Sequence, residues 1–309
     1  MTRQCPFECR HCYFCGGPNG ETMTTLQAKS VVDHLPDNVE TIGISGGEPF
    51  TNTKLLKSIL GFIKDRNFPD LTRTTVQTVG FWARDRERVK RTLDELIKLG
   101  ANSFYIYGND DWHREQGLKP ECQELLIDVL IEEFGAYKPG KMEEIESIFT
   151  KDGITYSHKK TGRILPIGRA SWATTEDEWM EKSKRPPVCP GRDFLDLHPD
   201  GYIYMINFNG EVHFCNWKSG PYLGNIFDLP LAQILEEARK RKILQVMNEG
   251  DISKLASEIC GIPKQDATRE IDQRGMCVYC NEILGAYLAN SDEEPIIHSI
   301  WRREREKAK

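Results

Sequence analysis

Apolar residues recur at helical spacing in four stretches of the first half of the chain: 24–35 (Leu26, Val31, Val32, Leu35), 53–65 (Leu55, Leu56, Ile59, Leu60, Ile63), 86–99 (Val89, Leu93, Leu96, Ile97) and 121–134. Each reads as an amphipathic helix with one face turned to a core. Between them lie short runs rich in β-branched and aromatic residues: Ile42 and Ile44 in 41–44, Thr74 to Val79, and Ser103 to Tyr107. Further strands are expected near 145–157 and 163–167. Strands alternating with helices predict a parallel sheet joined by crossover helices, an α/β fold. From residue 189 the pattern changes to a β-meander: 194–197, a Pro199-Asp200-Gly201 turn, 202–208, an Asn209-Gly210 turn and 212–217. Asn-Gly between apolar runs is a hairpin signal. A long charged helix is expected over 230–247.

With 309 residues, 39% of them hydrophobic, the chain has enough apolar material for a sizeable core. Its 41 Lys and Arg against 47 Asp and Glu give a net charge of −6, which argues against nucleic acid or an anionic membrane as partner. No run approaches the roughly 20 apolar residues of a membrane span. Without a basic-then-apolar leader at the start, a cytoplasmic location is expected. Ten cysteines in such a chain read as ligands or buried thiols rather than disulfides.

Three of those cysteines, Cys5, Cys9 and Cys12, open the chain in the run Cys-Pro-Phe-Glu-Cys-Arg-His-Cys-Tyr-Phe. Three thiolates on a four-iron cube leave one iron without a protein ligand, whereas an electron-transfer cluster takes four. An open iron is a Lewis-acid position that suits chemistry. Downstream, the strand at 41–44 runs into Gly46-Gly47-Glu48-Pro49. Two glycines let backbone approach a ligand closely, Glu48 offers an acceptor for an ammonium, and Pro49 fixes the chain direction.

The triad and the Gly-Gly-Glu-Pro element together resemble the radical S-adenosylmethionine (SAM) superfamily. The resemblance implies a partial (β/α)6 barrel over 1–175 and a [4Fe-4S] cluster whose open iron is chelated by the amino and carboxylate groups of SAM. Reductive cleavage of SAM then yields a 5′-deoxyadenosyl radical. It further implies cofactor contacts from Gly46, Gly47, Glu48, Pro49 and Thr78, ribose contacts from Asn109 or Asp110, and an electron donor such as flavodoxin or ferredoxin. Arg169, in a Gly-Arg-Ala element, is a candidate clamp for a carboxylate or hydroxyl of the substrate, with a surface salt bridge as the alternative. His113 is either a site residue or an ordinary loop histidine. Only Met1 to Gln4 precede the triad, so the first strand is minimal or the start is truncated.

A second cysteine set, Cys189, Cys215, Cys277 and Cys280, is spread over 176–309. One cysteine before a hairpin, one within it and a distal Cys-x2-Cys resemble the Twitch form of the SPASM extension, which holds an auxiliary [4Fe-4S] cluster. Four thiolates match full ligation, and a structural zinc site is the competing reading. Cys260 and Cys122 read as packing thiols. Cys15 extends the triad into a ferredoxin-like run that lacks the following Cys-Pro.

The leading expectation is an oxidoreductase in which the deoxyadenosyl radical abstracts hydrogen from carbon and the auxiliary cluster accepts an electron. The resemblance points first to secondary alcohols of aminocyclitols. The alternative is a peptide maturase forming a thioether or carbon-carbon crosslink, and a non-catalytic iron-sulfur carrier is the third reading.

Overall fold

The computed structural model describes residues 1–138, 153–158, 164, 166–179, 189, 193–195, 203–215 and 220–309. The chain divides into two compact units, Met1–Cys9 with Gly16–Gly162, and Arg10–Cys15 with Arg163–Lys309. The boundary thus falls at 162/163, where the sequence placed it at 175/176, and the segment around Cys12 belongs to the second unit.

In the first unit, α1 (Thr25–Asp33) starts at a capping box in which Thr24 and Gln27 satisfy each other's backbone N–H groups. Strand β1 (Thr41–Ile44) leads through a short 3-10 turn into α2 (Thr53–Arg66). Then come β2 (Arg73–Thr78), α3 (Arg86–Lys98), β3 (Ser103–Ile106), the one-turn α4 (Asp111–Glu115), α5 (Pro120–Phe134) and β4 (Thr155–His158). The four strands are parallel and adjacent in chain order. Such pairing requires the crossover helices the periodicity predicted, and the alternating burial of β2 follows its period of two. Leu56, Leu60, Val76, Leu93, Leu96, Ile106, Leu126 and Leu130, drawn from those helices and strands, fill one buried core.

Residues 2 and 4 make isolated bridges, one of them beside this sheet. Thr2 bridges Gly46 in parallel, and the amides of Gly47 and Glu48 donate to the carbonyls of Thr2 (2.6 Å) and Gln4 (2.8 Å). The expected strand at 145–157 is β4, shifted toward its end; residues 139–152 lie outside the described residues. At 163–167, Ile164 makes a single parallel bridge with Trp179.

The second unit contains α6 (Ala170–Ala173), the antiparallel strands β5 (Met205–Ile206), β6 (Glu211–His213) and β7 (Gly224–Asn225), and α7 (Leu231–Ala238) to α12. The Asn209-Gly210 turn joins β5 to β6 with Gly210 in the left-handed region, φ +86°. The 194–197 strand and the Pro199-Asp200-Gly201 turn lie largely outside the described residues; Phe194 and Leu195 themselves sit in a turn. The expected helix over 230–247 is two helices, α7 and α8 (Lys242–Asn248). Between them Arg241 donates to the carbonyl of Tyr222 (2.7 Å) and pairs with Glu293, while Arg239 donates to the carbonyl of Leu195. Those backbone-seeking guanidiniums account for a break that charge periodicity could not reveal. Helices α9 (Ile252–Cys260), α10 (Lys264–Arg274), α11 (Met276–Leu288) and α12 (Ile296–Lys307) complete the unit. No helix among the described residues is long and apolar enough to cross a membrane.

Candidate functional site

At the carboxyl end of the parallel sheet a continuous set of hydrogen bonds ties the strand ends together. Glu48 is completely buried, at 0% exposure. Its Oε1 accepts from the Phe50 amide (3.0 Å) and the Thr78 hydroxyl (2.9 Å), and its Oε2 accepts from the Val79 amide (2.7 Å). Burial pushes the Glu48 carboxyl up to about 7, against the pull of the Val79, Phe50 and Thr78 donors. Thr78 Oγ1 in turn accepts from the Gly80 amide and the Trp82 indole, and that indole stacks on Phe50 at 4.1 Å. Glu48, which the sequence offered as an acceptor for an ammonium, clamps the ends of β1 and β2.

Gln123, on α5, continues the clamp. Its Nε2 donates to the carbonyls of Val79 (2.9 Å) and Tyr107 (2.8 Å), which fixes the amide orientation and leaves Oε1 facing His158 Nε2 at 3.1 Å. The Tyr107 hydroxyl donates to the Gly47 carbonyl (2.9 Å). Sequence reasoning missed Gln123, Tyr107 and His158: they belong to no motif, and only the parallel register brings β2, β3 and β4 to one edge.

Close backbone approach explains the two glycines. A Cβ on Gly46 would lie 2.3 Å from the Thr2 carbonyl oxygen, and one on Gly47 would lie 2.3 Å from that of Gln4. Their lack of side chains admits the first strand. Pro49 opens the 3-10 turn behind Glu48. After β3, Asp110 is 1% exposed and caps α4; its Oδ1 accepts from the His113 amide (3.0 Å) and faces His113 Nδ1 at 2.8 Å. An imidazole nitrogen of His113 lies within 4.8 Å of the Cys9 sulfur. Asn109 Oδ1 accepts from Arg114. Cys5 donates its amide to Gly17, beside the strand of residues 1–4.

Glu48→Gln is expected to destabilise the protein by about 1–3 kcal/mol, because one amide oxygen cannot serve three buried donors and the Val79 N–H would face an amide nitrogen. The folded carboxyl titrates above its ordinary 4.5. The folded state therefore binds the proton more readily, and its stability falls as pH rises between 4.5 and about 7. Thermal unfolding across that range should show this slope in the native protein and lose it in Glu48→Gln.

In the second unit, the Cys12 carbonyl accepts from the backbone amide of Arg169 (3.2 Å), and the Tyr13 carbonyl accepts from the Trp301 indole (2.6 Å). Arg10 reaches the Ala173 carbonyl and Glu178. Gly168 adopts φ +59°, and a Cβ there would lie 2.2 Å from the Tyr13 oxygen. The Gly-Arg-Ala element thus receives the triad segment through backbone. Cys12, Tyr13, Cys277 and Val278 all pack against one core of Phe14, Cys15, Ile167, Phe208, Ile297, Ile300 and Trp301.

Cys280 is buried, and its thiol is pushed well above the ordinary range, first by burial and then by Cys215, Cys189, Cys277 and Cys260 close by. Cys260, which sequence spacing did not assign to this set, acts on the Cys280 thiol along with the three expected partners.

Residues 1–110 match the family model described as the Radical SAM superfamily. A Bacillus subtilis protein named for peptide biosynthesis, YydG, is 26% identical over 66% of this chain and 66% of its own length. The uncharacterized protein MJ0907 of Methanocaldococcus jannaschii is 27% identical over 42% of this chain and 46% of its own. The chain thus covers less than two thirds of either relative.

Proposed function

We propose, from the match of residues 1–110 to the radical SAM superfamily model, that this protein is a radical SAM oxidoreductase acting on a peptide. Cys5, Cys9 and Cys12 hold a [4Fe-4S] cluster that binds and reductively cleaves SAM. Glu48, Thr78 and Tyr107 hold the Gly46-Gly47 backbone against which the amino acid part of SAM lies, and Asn109 or Asp110 and Pro49 complete the cofactor side. Cys189, Cys215, Cys277 and Cys280 hold an auxiliary [4Fe-4S] cluster of the Twitch type over 176–309. The 5′-deoxyadenosyl radical removes a hydrogen atom from a substrate carbon. The substrate radical then gives up one electron to the auxiliary cluster and one proton, a net two-electron oxidation. Arg169 supplies a cation for a substrate carboxylate, and a flavodoxin or ferredoxin supplies the starting electron.

The four cysteines themselves support the oxidative half of this reading: Cys215, Cys189 and Cys277 all act on the buried Cys280 thiol, and a fully ligated cluster leaves no vacancy for substrate. The likeness to a protein named for peptide biosynthesis favours a peptide over a small alcohol. Anaerobic incubation of reconstituted protein with SAM, reductant and deuterated substrates tests both. The expected result is deuterium transfer into 5′-deoxyadenosine with a peptide product two mass units lighter or crosslinked. Turnover of aminocyclitols alone would reverse the substrate assignment, and absence of deoxyadenosine would end the enzymatic reading.

A further inference from the structure

The segment Arg10–Cys15 is held by the second unit through backbone at three points: Arg169 N–H to the Cys12 carbonyl, the left-handed Gly168 against Tyr13, and the Trp301 indole to the Tyr13 carbonyl at 2.6 Å. Trp301 is 8% exposed and lies on α12, in the same core as Ile297 and Ile300. The other end of α12 is anchored by Glu211, whose Oε1 accepts from the Ile296 amide (2.7 Å). Glu211 begins β6, the strand that runs on toward Cys215. Cys277 packs on that core as well. Helix α12 therefore links the part of the fold that carries the C-terminal cysteines to the peptide that carries the third cysteine of the triad. Tyr13 is itself partly buried against the same core.

We propose that Trp301 is a positioning residue for the SAM-binding cluster: its indole N–H and the core around it fix the Cys12–Tyr13 backbone, so that α12 controls how the third thiolate is presented. This rests on the radical SAM reading of the triad. A carbonyl held by a buried donor cannot rotate without leaving that donor unpaired, and a cysteine thiolate is aimed by the backbone that carries it. Partners of this kind tune a metal site without touching the metal.

Trp301→Phe keeps the ring packing and removes only the donor. In the reconstituted full chain it is expected to raise amide exchange within residues 10–15 about five- to tenfold. It should also speed chelator removal of iron from the triad site by a similar factor, change the electron paramagnetic resonance signal of the SAM-bound reduced cluster, and leave C-terminal iron intact. Ile234→Ala, on α7 of the same unit, serves as a control for general loosening. Unchanged exchange in 10–15, or an identical pattern in Ile234→Ala, would overturn the proposal. If Trp301→Phe folds poorly, native-state exchange of the unaltered protein decides instead: the amides of Cys15 and Arg169, both bonded to the Cys12 carbonyl, should open together with those of α12, and independent opening would refute the linkage. The exchange measurements also run on metal-free protein. Failure of the triad to bind iron would thus sink the functional reading, whereas failure of the exchange result would sink the positioning role alone.

Discussion

Replacing Cys5, Cys9 and Cys12 together with Ala should remove about four irons per chain and reduce 5′-deoxyadenosine formation to background. The reason lies in the donor count. Three thiolates on four irons leave one iron open to the chelating amino and carboxylate groups of SAM, and no other route for the electron into the sulfonium exists in the proposed scheme. Stability should change little, since the strand of residues 1–4 is held by the amides of Gly47 and Glu48 and not by the thiols. Iron analysis and a deoxyadenosine assay on the anaerobically reconstituted variant check both parts. Reductive SAM cleavage surviving in the triple variant would remove the assignment.

Much of the first unit was legible because its signals are local. Leu55, Leu56, Ile59, Leu60 and Ile63 repeat at helical spacing and are all buried on α2, and Thr74, Val76 and Thr78 alternate inward along β2. The Asn209-Gly210 turn was equally local. What escaped is what pairs residues far apart in sequence. The partners of Glu48, Thr78 and Val79, stand about thirty positions away at the end of another strand, where no local signal shows them. The bond between Trp301 and Tyr13 spans 288 positions and leaves no periodic trace at all.

The two glycine elements show the same divide. A Gly-Gly pair after a strand announces close approach, and in the fold the backbone of Thr2 and Gln4 is one group that approaches. Gly168 was noticed only as part of a motif around Arg169, yet its left-handed conformation and 2.2 Å clearance to Tyr13 leave no space for a methyl group. Cys260 was read as packing because it stands alone at the end of α9; its influence on Cys280 appears only when α9 and α11 are folded together.

Cys280→Ser should separate the two proposed clusters. Cys280 is the buried member of its set, and Cys215, Cys189 and Cys277 add to the rise of its thiol, so its loss removes a proposed ligand that solvent cannot replace. The C-terminal iron should fall in part in Cys280→Ser, and by about four in the double variant with Cys260→Ser, while the triad retains its own. Deoxyadenosine formation should persist at reduced rate, and substrate oxidation should fall by more than the roughly 10- to 100-fold that losing a hydrogen-bond partner of a metal ligand costs. Cys260 gives the experiment a second edge. It lies near enough to raise the Cys280 thiol, and a thiolate there can take up the vacated position, so Cys280→Ser combined with Cys260→Ser should lose iron more completely than Cys280→Ser alone. Metal analysis of the triad-deleted protein closes the argument: about four irons with sulfide support an electron acceptor, whereas a single zinc would make the same four thiolates a structural site and remove the reason for an oxidative reaction.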